Sequence, residues 1–406
     1  MHAELCRDNT LRSVLELLGS HVEGFVAWLQ AQDYPPSAIR RRLCALDSLE
    51  ARLRRHGVVR LADLTSAELL ALAPRSTKKD VRLSALVRSL ARYLDRQQVL
   101  ARPIAQPHEL MVAEYRAYLE RVRGLARSTV TEHCTTAGGF LTFLRFDHDP
   151  ERLRTLGPRD VEAFLRVTGG RLCRASLQHT VAHLRSLLRF LASRDHLAVG
   201  LDSAIDTPRL YRGEQLPRAL SWETVQAFLA SIERSTNKGR RDYAMALLIA
   251  TYGLRAGEVA ALRLEDIEWR AGRIRVPRPK AGTPLDLPLT EEVGAALIDY
   301  LRQVQRNPSH REVFLRVWAP CRGLTSTAVS EALQQRVQRV QLPIRRLRAH
   351  CLRHSLAAHL LRQGASIKAI GDLLGHRTVE STSVYLRLHV EDLREAGLEL
   401  PREVRS

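Results

Sequence analysis

The segment from residue 350 to residue 385 constrains the fold of this chain more than any other. Leu352, Leu356 and Leu360 recur at every fourth position, and no proline interrupts the run. This spacing places the three leucines on one side of a helix. The sequence therefore predicts an amphipathic helix over His350–Arg362 with one face in a hydrophobic core.

A second, shorter periodic segment lies between two glycines. Gly364 is expected to end the first helix, and Gly375 is expected to cap the second in the left-handed conformation that glycine adopts without steric cost. The apolar positions of this second helix are Ile367, Ile370, Leu373 and Leu374.

Several side chains in this segment suit a phosphate group. His350 and Arg353 are three residues apart, so they project together from the start of the first helix, where backbone N–H groups and the helix dipole favour an anion. His376 follows Gly375 directly, and Tyr385 comes nine residues later. One short segment thus offers a hydroxyl nucleophile, two imidazoles and a guanidinium.

The ordered motifs HCLRH, LLGHR and STSVYL resemble the C-terminal boxes of the tyrosine recombinases, also called the phage integrase family. Those boxes read H-x-[LF]-R-H, then LLGH, then a tyrosine at this spacing. Cys351 stands where the family often has aspartate, next to the catalytic positions. The segment GLRAGEVAAL matches the family's first box, G-L-R-x-x-E-x-x-x-L, at Arg255 and Glu258.

A hairpin is predicted between these boxes. Ile274 and Val276 alternate before a polar stretch, and Leu285, Leu287 and Leu289 alternate after it, which is typical of two β-strands. Lys280 lies at the turn. The resemblance implies that this is the catalytic lysine, which the family carries in that loop.

The resemblance implies six catalytic side chains with Glu258 in support: Arg255, Lys280, His350, Arg353, His376 and Tyr385. A tyrosine hydroxyl has a pKa near 10, so Tyr385 needs a base, and His350 is the expected one. The spacing of Glu258 lets it pair with Arg255 or a neighbour.

The remaining groups serve the phosphate and the leaving group. Arg255 and Arg353 offer planar forks for the phosphate oxygens, His376 can donate one more hydrogen bond, and Lys280 can protonate the leaving 5′-oxygen. No acidic cluster has metal-binding spacing, so neither a metal ion nor a cofactor is expected.

Two stretches before the catalytic boxes resemble one another. Residues 11–100 and 108–200 each predict four or five helices, and LVRSLARYL in the first corresponds to HLRSLLRFL in the second. Helix caps are predicted at Ser37, Thr65 and Ser128. Chance similarity between two Leu/Arg-rich helices is the alternative to duplication.

Four divisions of the chain follow from these patterns. Residues 1–104 are expected to form an N-terminal helical domain, residues 105–205 a core-binding, SAM-like helical DNA-binding domain, residues 206–219 a linker and residues 220–406 the catalytic domain. The resemblance implies that the core-binding domain contacts phosphates, and the candidates are Arg127, Ser128, Thr129, Arg185 and Arg189. The first domain could bind additional DNA or another protomer.

The charge of the chain agrees with a nucleic-acid partner. A formal net charge of +19 over 406 residues favours a polyanion, and the basic residues are spread along the chain instead of forming one amphipathic tail. No run of eighteen apolar residues and no signal peptide is present, so a cytoplasmic, nucleoid-associated protein without membrane contact is expected. The six scattered cysteines favour neither disulfides nor zinc.

The expected fold is mainly α with a small β-sheet or hairpin: helical N-terminal bundles and a mixed α+β tyrosine-recombinase catalytic domain. The expected activity is site-specific cutting and rejoining of double-stranded DNA at inverted-repeat core sites through a covalent 3′-phosphotyrosyl intermediate, for a mobile genetic element. A short helix over Val390–Leu398 is expected to link a homo-tetramer on DNA. The alternatives are a Xer-like chromosome or plasmid dimer resolvase, a type IB topoisomerase-like enzyme and a non-catalytic DNA-binding protein.

Overall fold

A computed structural model describes residues 15–74, 81–209, 219–277, 284–304, 309–339, 344, 347–375, 382 and 385. The chain divides into two compact units, one made of residues 1–101 and 215–406 and the other of residues 102–214. Helices dominate both units, as the sequence predicts. Among the residues described, no helix combines the length and the apolar character needed to span a bilayer.

The first part of the larger unit is a helical bundle. Its core is formed by large apolar side chains that are fully buried, including Phe25, Leu29, Leu49 and Leu86. Short 3₁₀ helices cover Gly19–His21 and Leu61–Asp63. The α-helices are α1 (Val22–Ala31), α2 (Pro36–Leu43), α3 (Leu46–Arg55), α4 (Ser66–Ala71) and α5 (Val81–Arg96).

This bundle contacts the C-terminal part of the same unit. His310 Nε2 lies 3.2 Å from Asp33 Oδ2, and an Arg322 Nη2 donor lies 2.5 Å from Gln32 Oε1. Ala319 packs against the hydrophobic core of the bundle. The first hundred residues are therefore joined by side-chain contacts to the part of this unit that follows residue 215.

The second unit repeats the order of elements found in the first bundle. A long helix, α7, takes the place of α2 and α3, and a 3₁₀ helix over Pro150–Leu153 corresponds to the one over Leu61–Asp63. The α-helices are α6 (Pro107–Arg121), α7 (Arg127–Phe143), α8 (Pro158–Gly169) and α9 (Arg174–Ala192).

Of the three predicted caps, only Thr65 is one. Its hydroxyl accepts from the Glu68 N–H and the Glu68 carboxylate accepts from the Thr65 N–H, which completes a capping box. Ser37 is not a cap because Pro36 already occupies the first helical position, where proline is favoured. Ser128 is likewise inside α7, which begins at Arg127.

The remainder of the larger unit contains a small sheet, a 3₁₀ helix over Leu264–Asp266 and seven described α-helices. The sheet is antiparallel in the order β1 (Ile267–Glu268), β2 (Arg273–Val276) and β3 (Leu285–Pro288), with Ile274 opposite Leu287. This confirms the predicted hairpin; Lys280, which the sequence predicts at its turn, lies outside the described residues. The helices are α10 (Trp222–Ala230), α11 (Asn237–Tyr252), α12 (Ala256–Ala261), α13 (Glu291–Gln303), α14 (Ser326–Val337), α15 (Ala349–Arg362) and α16 (Ile367–Leu374).

Helix α11 passes through the centre of this core. Its Asp242 is fully buried, and its two carboxylate oxygens accept hydrogen bonds from Arg241 and Arg336. The helix ends at Gly253, which has the left-handed φ of 64°. A Cβ at Gly253 would collide with Leu374, so this glycine allows α11 and α16 to approach closely.

Candidate active site

The helix α15 and the shorter α16 carry most of the described site residues. The observed bounds, Ala349–Arg362 and Ile367–Leu374, match the predicted helices to within one residue. Gly375 ends α16 with a left-handed φ of 63°, as the sequence predicts.

Arg353 points inward. It is 3% exposed, and its two Nη atoms donate to the carbonyl oxygens of Gly253 and Leu374. Gly253 is the residue that caps α11 and Leu374 is the last residue of α16, so no helical N–H remains to pair with their carbonyls. The prediction that Arg353 projects from the helix start beside His350 is incomplete. Two of its N–H donors bind backbone carbonyl oxygens and so join the ends of α11 and α16 to α15.

Arg255 lies at the start of α12 and is positioned by Glu258. Its Nη1 donates to Glu258 Oε1 over 2.7 Å, and its backbone N–H donates to Oε2 over 2.8 Å. The predicted pairing is therefore present, and Glu258 is buried. A third bond joins Arg255 Nη2 to the carbonyl oxygen of Gly375. Arg353 and Arg255 thus donate hydrogen bonds to two consecutive carbonyl oxygens, those of Leu374 and Gly375.

The His350 ring is exposed at the start of α15. Partial loss of solvent, followed by the charges of Arg353 and Arg255, lowers the pKa of His350 below its ordinary value. A neutral imidazole at physiological pH is the form that can accept a proton, which agrees with the role of base assigned to His350 from the sequence.

Tyr385 is 2% exposed and packs against Ala357, Ile370 and Leu374. Its hydroxyl lies 2.8 Å from Nδ1 of His354, and the two ring centroids are 5.6 Å apart. Burial raises the pKa of Tyr385, while the charges of Arg353 and Arg255 oppose that rise. The tyrosine hydroxyl is therefore protonated in this arrangement. It is also close enough to both arginines for their positive charges to act on its pKa.

His354 is a site residue that the sequence reasoning missed. Burial, and then the charges of His350 and Arg353, lowers its pKa to about 4. The sequence contained a signal for it, because His354 is the last residue of HCLRH and lies four residues after His350, on the same side of the helix.

Two of the six assigned side chains fall outside the described residues: Lys280 and His376. The structure brings the other four into one region of the catalytic portion. In the described part of the chain, no group of three His, Cys, Asp or Glu side chains could hold a metal ion.

The DNA-contact candidates of the second unit differ in their surroundings. Arg127 and Ser128 are exposed at the start of α7, and Thr129 beside them is half-buried. Arg189 is exposed and lies 3.6 Å from Asp202. Arg185 is half-buried, and its Nη2 donates to the carbonyl oxygen of Ile205. Arg185 therefore holds the C-terminal end of the unit in place.

The described side chains of this region have the chemistry that a phosphate site with a tyrosine beside it would need. Arg255 and Arg353 supply two positive charges held by hydrogen bonds, His350 supplies an imidazole with a lowered pKa, and Tyr385 supplies a protonated hydroxyl. Developing negative charge on a phosphoryl group would be stabilised by donors that are already in place.

Family models match two parts of this sequence. Residues 218–392 match the phage integrase family, and residues 112–195 match the N-terminal SAM-like domain of phage integrases.

Named relatives cover much or nearly all of the chain. The integrase/recombinase y4rA of Sinorhizobium fredii is 33% identical over 386 residues, which is 93% of each protein. The tyrosine recombinase XerD of Listeria monocytogenes is 28% identical over 291 residues, which is 70% of this chain and 95% of that protein.

Solved structures share the fold. The XerH recombinase bound to a palindromic difH substrate aligns with a TM-score of 0.55 at 19% identity, over 70% of this chain and 83% of that chain. A lambda integrase dimer bound to a COC′ core site aligns with a TM-score of 0.53 at 17% identity, over 82% of this chain and 94% of that chain.

Proposed function

Because this chain belongs to the phage integrase family of tyrosine recombinases, which break and rejoin DNA strands, we propose that Tyr385 is its nucleophile and forms a covalent 3′-phosphotyrosyl intermediate. The proposal is carried by the position of the Tyr385 hydroxyl. It is hydrogen-bonded to His354 on α15 and lies within range of the positive charges of Arg255 and Arg353.

The cleavage step needs one bond to form and one to break. The Tyr385 oxygen attacks phosphorus, the bond between phosphorus and the 5′-oxygen breaks, and the tyrosine proton passes to His350. Lys280 protonates the leaving 5′-oxygen, while Arg255, Arg353 and His376 bind the non-bridging oxygens. The phosphotyrosyl bond keeps the energy of the broken linkage, so the 5′-hydroxyl of another strand can reverse the step without ATP.

The biological setting is proposed to be a mobile genetic element. Support comes from y4rA, a named integrase/recombinase that aligns over 93% of this chain, whereas the XerD relative aligns over 70% of it. A chromosome or plasmid dimer resolvase is the second candidate, favoured by the near-complete coverage of XerD itself. The chain would act in the cytoplasm, at the nucleoid.

The domains are proposed to divide the DNA contacts. Residues 105–205 would bind one face of the duplex and residues 220–406 the other, with residues 206–219 as the linker. Inverted-repeat core sites would be joined within a homo-tetramer, through the tail that contains Val390–Leu398, which lies outside the described residues. Residues 1–104 would stabilise the catalytic portion through the contact of Asp33 with His310.

Covalent capture tests the proposal. The wild-type protein is incubated with a randomised pool of nicked duplexes, in which the short cleaved strand diffuses away, and SDS-stable complexes are isolated and sequenced. We expect capture through Tyr385, identified by mass spectrometry of the tryptic peptide, and no capture by Tyr385→Phe. Tyr243→Phe, a change far from α15 in sequence, is the matched control and should behave as wild type.

Two further outcomes separate the rivals. Binding without any adduct would identify a non-catalytic DNA-binding protein and overturn the proposal. If an adduct forms, the captured sequence is placed twice on one plasmid. Recombinant products support a recombinase, and relaxation of supercoils without recombinants would indicate a type IB topoisomerase-like activity instead.

A further inference from the structure

The contact between His354 and Tyr385 involves a residue outside the six-residue catalytic set. His354 Nδ1 and the Tyr385 hydroxyl oxygen are 2.8 Å apart, which is a normal hydrogen-bond distance. The two residues are separated by 31 positions in sequence. The bond therefore connects α15 to the segment that carries the nucleophile.

Helix α15 gives His354 a fixed position. The next side chain towards the N-terminus, Arg353, is buried and bonded to two carbonyl oxygens, and the next residue, Ser355, is also buried. The His354 ring is half-buried, and its centroid lies 6.1 Å from that of His350. A hydroxyl bonded to this ring is held at a defined place on a rigid element.

The direction of the hydrogen bond depends on the protonation states of the two side chains and on the tautomer of His354. The pKa of His354 is about 4, so the ring is neutral near pH 7 and has one nitrogen that accepts. The pKa of Tyr385 lies above its ordinary value of 10, so the hydroxyl keeps its proton. In the tautomer with the ring proton on Nε2, Nδ1 accepts the hydrogen bond that the Tyr385 hydroxyl donates, and this is the tautomer that the proposal assigns to His354.

We propose that His354 is the positioning residue of the nucleophile: it accepts the Tyr385 hydrogen bond and fixes the hydroxyl oxygen on the face of α15 that carries His350. The inference rests on the proposed role of Tyr385 as nucleophile. His354 acts through Tyr385 by orienting its hydroxyl before the reaction, and the hydroxyl releases this hydrogen bond when its proton passes to His350. Removal of the proton remains the task of His350.

Orientation of a nucleophile has a large effect on rate. A displacement of about 1 Å can slow a reaction about 10²-fold, because the reacting atoms must meet at a defined distance and angle. A neutral acceptor also leaves the positive field of the two arginines undisturbed. Asn at this position would keep an acceptor near the place of Nδ1, whereas Leu would fill the space without one.

Two measurements on the full chain test the inference, and the first needs no DNA. Tyrosine labelled with ¹³C at the ζ carbon gives a resonance for Tyr385, which is assigned by its loss in Tyr385→Phe. We expect this resonance to shift in His354→Leu and to stay near its wild-type position in His354→Asn. His359→Asn is the matched control, because His359 lies on the same helix but stacks on Trp222. An unmoved resonance in His354→Leu would overturn the contact.

The second measurement is the rate of covalent adduct formation on the duplex that the wild-type protein captures. We expect a loss of about 10²-fold in His354→Leu, recovery to within about tenfold of wild type in His354→Asn, and unchanged DNA affinity in both. A His354→Leu rate equal to or above that of wild type would overturn the inference. Equal losses of rate in His354→Leu and His354→Asn would also overturn the inference, because a hydrogen-bond acceptor at position 354 would then have no effect on the rate.

The two proposals fail in different ways. If the wild-type protein forms no adduct through Tyr385, the proposed function fails whatever the resonance shows. If the wild type forms the adduct and His354→Leu does so equally fast, only the positioning role of His354 fails.

Discussion

Nη1 of Arg353 donates a hydrogen bond to the carbonyl oxygen of Gly253, a residue 100 positions earlier in the chain. Nη2 of the same guanidinium donates to the carbonyl oxygen of Leu374. One proposed catalytic side chain thus joins the ends of two helices, so substitutions at Arg353 should affect both folding and cleavage.

We expect Arg353→Lys to lower the free energy of unfolding by about 1 to 3 kcal/mol, because an ammonium group cannot reach both carbonyls and one buried acceptor loses its partner. Urea denaturation measures the change. Arg362→Lys, an exposed change on the same helix, is the control and should stay within about 0.5 kcal/mol of wild type. Wild-type stability in Arg353→Lys would show that these two bonds contribute little.

Arg255→Ala should act mainly on the reaction. The activation free energy of adduct formation is expected to rise by about 2.7 to 4 kcal/mol, by analogy with the removal of one oxyanion donor. Glu258 keeps the hydrogen bond from the backbone of residue 255, so its carboxylate retains one donor. Single-turnover cleavage and DNA affinity are measured together. Cleavage at the wild-type rate would exclude a role for Arg255 at the phosphate.

Arg127 and Arg185 should respond differently to substitution. If Arg127 contacts a phosphate, Arg127→Gln should reduce the slope of log affinity against log salt by about 0.9. Arg185→Gln should instead lower the stability of the second unit, because the bond to the Ile205 carbonyl is lost. Binding titrations at several salt concentrations and thermal melts test both. If Arg185→Gln changed the salt slope and Arg127→Gln did not, Arg185 and not Arg127 would be the phosphate contact.

The second unit should lose stability in mild acid. Burial, and then the charge of His183, lowers the pKa of His133 to about 4, while an unfolded histidine titrates near 6.5. The unfolded state therefore binds the proton first, so the free energy of unfolding falls as the pH decreases from 6.5 to 4. Urea midpoints at pH 7 and pH 5 should differ less in His133→Gln than in wild type.

The matched control for that experiment is His148→Gln, which changes an exposed histidine of the same unit. It should keep the wild-type pH dependence. An identical pH dependence in His133→Gln and wild type would mean that His133 does not contribute.

Removal of residues 390–406 should abolish assembly of paired-site complexes while one protomer still binds a half-site. The reason is that an apolar face over Val390–Leu398 would have to be buried, and head-to-tail burial closes a ring of subunits. Native gels with one-site and two-site DNA measure the two steps. Full-length efficiency of paired-site assembly in the truncated protein would contradict the expected exchange of C-terminal helices.

Local sequence patterns predicted the elements that carry the site. The leucine period identified α15, and glycine at position 375 identified the end of α16, because only local geometry is needed for both. The alternation around Ile274 and Leu287 identified the hairpin in the same way. Each of these features depends on residues within one or two turns of the chain.

Features that depend on distant partners were not predicted. The inward bonds of Arg353 require carbonyls that only the packed helices bring together. The contact of His354 with Tyr385 joins residues 31 positions apart, and no local pattern specifies it. The sequence shows which side chains are present, but the distances among them are set by tertiary packing.

The contact of Asp33 with His310 has a consequence for synthesis of the protein. The two residues are 277 positions apart, and a ribosome adding about 5 to 20 residues per second needs about 14 to 55 s to cover that distance. During this time residues 102–214 are completed and can fold as a separate unit. The N-terminal bundle therefore emerges long before its binding surface exists, and that exposed face is where a nascent chain of this protein would be most open to chaperones.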